Sequence, residues 1–239
     1  MKKLMFVFTL FLAGTAYGQF TKGTRTVGFN LSSIGFNSNS TTYDYDQSAS
    51  LGSKTNNMNL SITPSIGKFI NEKTLVGVNV NINFSNSKYT SGINVDKGNS
   101  FSLGLGGFGR YYFTNTGFMP YAQGILGVAY GNGKFTWVRD YTNMAVPYLE
   151  KGSADQKGIF TINAGAGLGL TKMVNKNIGF DLGVGYLFSN SNYKYTTEAN
   201  RQYSNPPGSE QVKGEYKYSN YSNGVTISLG FLIFLDPKK

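Results

Sequence analysis

Two residue types are missing from the 239-residue chain, cysteine and histidine, and tryptophan occurs once. Without cysteine there are no disulfides, no thiolate metal ligands and no lipid attachment behind a leader, so the fold has to hold by pairing and packing alone. Without histidine the commonest general base at neutral pH is gone. The remaining carboxylates show neither a nucleophile–base arrangement, a pair at glycosidase-like separation, nor a calcium-loop spacing. A protein without enzyme activity, cofactor or metal is therefore expected.

Charge is sparse too, at 14% of residues, and nowhere is there the run of roughly 20 apolar residues that a transmembrane helix needs. Any membrane span has to be β. The start of the chain is different in kind. Lys2 and Lys3, an apolar run from Leu4 to Leu12, and Ala16-Tyr17-Gly18 have the three parts of an export signal. Residues 1–18 are read as that signal peptide and 19–239 as one barrel domain. Removing Lys2 and Lys3 lowers the formal net charge from +10 to +8, and the other basic residues are scattered without a dense run. No nucleic-acid partner is expected.

Period-two alternation is abundant. Val27, Phe29 and Leu31 alternate with Gly28, Asn30 and Ser32, and Met58, Leu60 and Ile62 with Asn and Ser. Val76, Val78, Val80, Ile82 and Phe84, then Phe101, Leu103 and Leu105, oppose Gly, Asn and Ser in the third and fourth segments. Residues 121–130 form a less regular fifth. Ile162, Leu168 and Leu170, then Phe180, Leu182, Val184 and Tyr186, and finally Val225, Ile227, Leu229, Phe231 and Ile233 complete eight. Such alternation predicts antiparallel strands with one apolar face.

The connections alternate in length, short at about 69–74, 114–119 and 173–177, long and polar at about 38–56, 86–99, 132–157 and 190–222. A soluble barrel's outer face would carry roughly 25–35% charged residues, whereas these central segments hold only Arg110 and Asp181. The expected fold is all-β, a transmembrane antiparallel up-and-down barrel of eight strands with short periplasmic turns and four long extracellular loops. Ten strands remain open if residues 132–157 pair independently. Aromatic residues gather near the short turns (Phe69, Tyr111, Tyr112, Phe113, Phe118, Tyr121) and towards the long loops (Tyr89, Tyr130, Phe135, Trp137, Tyr186), where two interfacial girdles are expected.

The run Gly109-Arg110-Tyr111-Tyr112-Phe113, a short turn, then Pro120-Tyr121-Ala122-Gln123-Gly124, resembles the small outer-membrane β-barrel family that includes the OmpX and OmpA membrane domains. Phe180-Asp181-Leu182-Gly183-Val184-Gly185-Tyr186 is similar. Ser228, Gly230, Ile233 and Leu235 match the C-terminal pattern by which such barrels are taken up for assembly, although the family's final aromatic residue is replaced by Leu235 and four further residues. The resemblance implies an outer-membrane location, with membrane lipid and the barrel-assembly machinery as partners. It also sharpens the lack of histidine, since barrel lipases, acyl transferases, deacylases and proteases are expected to need one. No peptidoglycan-binding domain is expected after the last strand.

Gly104, Gly106 and Gly109 satisfy G-x-G-x-x-G, but inside a continuing strand with no helix start to hold a phosphate, so glycine here serves packing. Arg110 precedes one short turn and Asp181 follows another, so both point into the lumen near the periplasmic end and are expected to pair or to form a charged constriction. Tyr193, Tyr195, Tyr203, Tyr216, Tyr218 and Tyr221 lie in the last long connection, either as a binding loop or as cross-strand pairs of a ribbon turning at Pro206-Pro207-Gly208. The leading function is a structural or surface-interaction role through the loops, for an envelope protein or surface ligand. Two alternatives remain, a narrow porin-like channel and a soluble periplasmic ligand-binding barrel.

Overall fold

A computed structural model describes residues 20–235 apart from 46–47, 142–146 and 205; the leader at 1–18 and the tail at 236–239 lie outside the described residues. The chain forms eight antiparallel strands: β1 (Arg25–Tyr45), β2 (Ser48–Phe69), β3 (Thr74–Ser91), β4 (Asn94–Tyr112), β5 (Phe118–Asp140), β6 (Tyr148–Met173), β7 (Ile178–Ser204) and β8 (Pro207–Leu235). Each pairs with its neighbours in sequence, and β1 closes on β8 from Arg25 opposite Leu235 to Leu31 opposite Leu229. Closure satisfies the backbone groups that an open sheet edge would leave bare, which a bilayer requires.

Alternation sets the faces. Leu105, Leu126, Leu168 and Leu229 each leave 60% or more of their surface exposed on the outer wall, while Gly, Asn, Ser and Thr at the intervening positions face inward. A contiguous apolar wall of this extent exceeds what soluble proteins leave to water, and it is the surface an eight-stranded barrel presents to lipid.

Two of the three short turns share a chemistry. The Asn71 side chain accepts hydrogen bonds from the Lys73 and Thr74 amides at 2.8 and 2.7 Å. Asn175 does the same for Asn177 and Ile178 at 2.8 and 2.9 Å. In the third, Thr114 donates to the Phe118 carbonyl at 2.9 Å.

The long polar connections are β-structure for most of their length. β7 and β8 run 27 and 29 residues, against about 9–11 needed to cross a bilayer, so each surface loop is a hairpin ribbon. The described residues of 132–157 extend β5 and β6 and add no separate strands among them; the ring has eight. β7 and β8 stay paired up to Ser204 opposite Pro207, with Tyr193 and Tyr218 stacked at 5.8 Å. The tyrosine-rich connection is thus a ribbon with cross-strand aromatic pairs.

β6 carries an irregularity that changes which residues face inward. Its pairing with β7 shifts between Lys157 and Phe160, where Gly158 adopts φ +65°, a left-handed conformation open to glycine at little cost. Beyond it the β6 side chains exchange faces.

Candidate functional site in the barrel lumen

The end of the lumen at the short turns is filled by side chains. Phe69 ends β2, Leu75 begins β3, Tyr112 ends β4, Met119 and Tyr121 begin β5, and Leu232 and Phe234 end β8; all are buried in one cluster with Phe20 and Met173. Phe20, ahead of β1, turns back under the barrel and stacks on both Phe69 and Phe234 with ring centroids 4.5 Å apart. The expected inner girdle needs correction accordingly. Phe69, Tyr112 and Tyr121 are floor residues inside the barrel, whereas Tyr111 and Phe113 stand exposed on the outer wall.

Directly above this floor the structure brings Arg110 of β4 and Asp181 of β7 together at 2.6 Å, both buried. The guanidinium also donates to Gln123 at 2.9 Å and to the Tyr112 hydroxyl at 3.1 Å, and it lies 3.8 Å from the centroid of the Tyr121 ring. Asp181 accepts a second, short hydrogen bond from Thr171. Both charged groups of the pair are therefore met by partners on more than one side, which is what a buried ion pair requires.

Over the pair opens a polar chamber of about 340 Å³. Its wall bonds to itself: Thr63 donates to Asn81 at 3.1 Å, Asn81 to Asn79 at 3.1 Å, Asn83 to Ser102 at 3.2 Å and Ser32 to Ser61 at 3.1 Å. Glycine makes room for the large inward residues at two places. A Cβ on Gly169 would fall on the Tyr121 ring and one on Gly77 on the Phe108 ring. Gly106 faces Asn79 in the same way, while a Cβ on Gly109 would meet nothing, so only part of the glycine triplet serves packing.

Beyond the membrane belt is a second polar cluster that the sequence did not announce. Glu150 of β6 is buried; it accepts from Trp137 of β5 at 2.8 Å and from Arg201 of β7 at 2.9 Å. Burial alone raises the Glu150 carboxyl, but the hydrogen bonds from Arg201 and Trp137 and the charges of Arg201 and Arg139 outweigh it and hold the group below its ordinary value. Trp137 is accordingly a core residue of the surface ribbons, not of a girdle; Tyr130 and Tyr186 are exposed on the outer wall as a girdle demands.

Of the four C-terminal residues, Gly230 faces Asn30 across β1, Ser228 lines the chamber, and Ile233 and Leu235 stand opposite Val27 and Arg25.

No family model and no curated protein sequence matches the chain. Among solved structures it is similar to the outer membrane protein OprG of Pseudomonas aeruginosa, at 17% identity over 91% of this chain and 98% of that one, with a TM-score of 0.42. It is also similar to the N-terminal β-barrel domain of OprF from the same organism, at 13% identity over 90% and 98%, TM-score 0.29. A third is the translocator domain of the autotransporter NalP from Neisseria meningitidis, at 12% identity over 97% and 93%, TM-score 0.25.

Proposed function

We propose that this chain is a non-enzymatic integral protein of a Gram-negative outer membrane, exported by its leader and inserted by the barrel-assembly machinery, which works through its outer wall and surface ribbons and does not conduct solute. The observation that carries this reading is the closed floor. Nine buried side chains fill the periplasmic end, and the Arg110–Asp181 pair above them is engaged with protein groups on both partners. An eight-stranded barrel is just wide enough for its side chains to fill it, and here they fill the end at the short turns, below the chamber. The ribbons, by contrast, present a broad surface of tyrosine, serine, asparagine and charge to whatever lies outside the cell.

The test is conductance of the refolded full-length protein in a planar lipid bilayer, with insertion established by heat-modifiable gel mobility. An inserted, electrically silent barrel is the expected result. Steady conductance that changes in Arg110→Ala would replace this reading with that of a narrow channel. A protein that washes off vesicles in carbonate or urea would make it a soluble barrel.

A further inference from the structure

On four consecutive strands the outer wall repeats one pattern at its surface-facing edge. The last large apolar residue is followed two positions along by asparagine and four positions along by lysine: Met58, Asn56 and Lys54 on β2; Phe84, Asn86 and Lys88 on β3; Phe101, Asn99 and Lys97 on β4; Tyr130, Asn132 and Lys134 on β5. The four apolar residues and the four lysines are exposed. Spacing by even numbers keeps all three on one face. Four residues of strand span about 13 Å, and at the tilt of such barrels this places each lysine roughly 10 Å beyond the apolar edge, at the level of lipid headgroups.

The lysines are also close to one another. Lys88 and Lys97 are paired directly across β3 and β4. Lys54 lies one diagonal step from Lys88, because Asn56 is the residue opposite Lys88, and Lys134 lies one such step from Lys97, because Asn99 is opposite Lys134. Like charges directly opposite on one sheet face destabilise it. Among the described residues none of the four forms an ion pair, whereas on β7 and β8 Lys194 meets Glu215 at 3.8 Å and Lys213 meets Glu198 at 2.9 Å, leaving Lys217, opposite Lys194, as the lysine of those two strands without an ion pair. Asp155 stands opposite Lys134 at the β6 border of the patch; Asp96, next to Lys97 in sequence, pairs with Arg139 at 3.5 Å on the other face. A groove on the wall reaches Lys134 at one end, with Met58, Leu60, Phe84 and Phe101 along it and Asn86, Asn99 and Asn132 also lining it.

We propose that this face of β2–β5 is a binding site for a multiply phosphorylated glycolipid of the surface-facing leaflet. The phosphates lie between Lys88 and Lys97 with Lys54 and Lys134 at the flanks, the asparagine row offers carboxamides to sugar hydroxyls, and an acyl chain follows the groove. A phosphate between two facing lysines turns their repulsion into charge-assisted hydrogen bonds. Several lysines suit several phosphates, and a row of amides below them suits a sugar head better than a plain phosphodiester. The proposal rests on the reading that the barrel spans an outer membrane with its short turns in the periplasm.

The test uses the full-length protein inserted in phosphatidylcholine vesicles doped with diphosphoryl lipid A or, separately, with phosphatidylglycerol. Lipid retained after mild detergent extraction is counted by native mass spectrometry. Wild type is expected to retain diphosphoryl lipid A, and K88Q/K97Q to retain about thirtyfold less, the scale set by two lysines near a charged headgroup surface; K194Q/K217Q on the opposite wall serves as the control and is expected to match wild type. Equal retention by K88Q/K97Q, an equal loss in K194Q/K217Q, or equal retention of phosphatidylglycerol by wild type overturns the glycolipid site. Failure of wild type to insert in any vesicle overturns the membrane reading, and the site with it.

Discussion

Arg110 and Asp181 join two strands that are not neighbours: β4 and β7 are separated by β5 and β6 in the ring, and the 2.6 Å contact crosses the lumen between them. Such a strut fixes the cross-section of the barrel at the height of its floor. Asp181→Asn leaves the guanidinium buried without its counter-charge, and removal of one partner of a buried pair costs about 3 kcal/mol or more. The urea midpoint of heat-modifiable mobility is expected to fall accordingly, and the paired replacement of Arg110 and Asp181 by leucine and valine is expected to recover part of that loss. An unchanged midpoint in Asp181→Asn would mean that the pair does not brace the barrel.

Phe20 belongs to no strand yet sits at 4% exposure between Phe69 and Phe234. Truncating a buried, stacked phenylalanine costs about 3 kcal/mol. Phe20→Ala is expected to lower the same urea midpoint by an amount comparable with Asp181→Asn, with the β-content measured by circular dichroism unchanged. Accelerated proteolysis of the N-terminal segment in the variant is the second expected sign, since the ring anchors that segment ahead of the backbone hydrogen bonds of Gly23 and Thr24 to Phe69.

Gly169 and Gly124 give a contrast between crowded and open glycine on adjoining strands. Gly169 is the residue opposite Tyr121, and a Cβ there falls on the ring, whereas a Cβ on Gly124 meets nothing within 4 Å. Overpacking the filled end of the lumen costs about 1–3 kcal/mol. Gly169→Ala is therefore expected to destabilise the barrel, and Gly124→Ala to change its stability by roughly 0.5 kcal/mol or less. Equal effects in the two variants would show that Tyr121 does not press on Gly169.

Strand count, faces and the partnership of Arg110 with Asp181 follow from period two and from the positions of the short turns, both of which are plain in the residues. Two features are misplaced, one by reading turn position without parity and one by a bulge. Tyr112 and Tyr121 lie near a turn and so resemble interfacial aromatics, yet Tyr112 shares the parity of Arg110 and Tyr121 that of Gln123, and parity, not proximity to the turn, decides which side of the wall a side chain takes. Glu150 escapes for the opposite reason. Counting back from the outward Phe160 in steps of two places Glu150 outside; the bulge at Gly158 reverses the faces and buries it against Trp137. A bulge depends on the backbone conformation of one glycine and leaves no mark in hydrophobic alternation.

The Glu150 cluster carries a pH dependence whose sign is fixed by its partners. The carboxyl sits below its ordinary value in the folded ribbons, because burial, which opposes charge, is outweighed by hydrogen bonds from Arg201 and Trp137. A depressed carboxylate stabilises the fold at pH above its unfolded value of about 4.3, and that contribution is lost as the pH falls through the lower folded-state value. Protonation then frees Arg201 and weakens the acceptor of the Trp137 indole. Trp137 is the single tryptophan of the chain, so its fluorescence reads this event without interference from the barrel. Acid titration of the wild type is expected to shift the emission at pH below about 4.3 and to make the ribbons more open to an acid-active protease, while the membrane-embedded part stays resistant. Glu150→Gln keeps an acceptor for the indole but has no charge to lose, so its emission is expected to stay flat over the same range; a Glu150→Gln variant that titrates as wild type does would show that another carboxylate governs the ribbons.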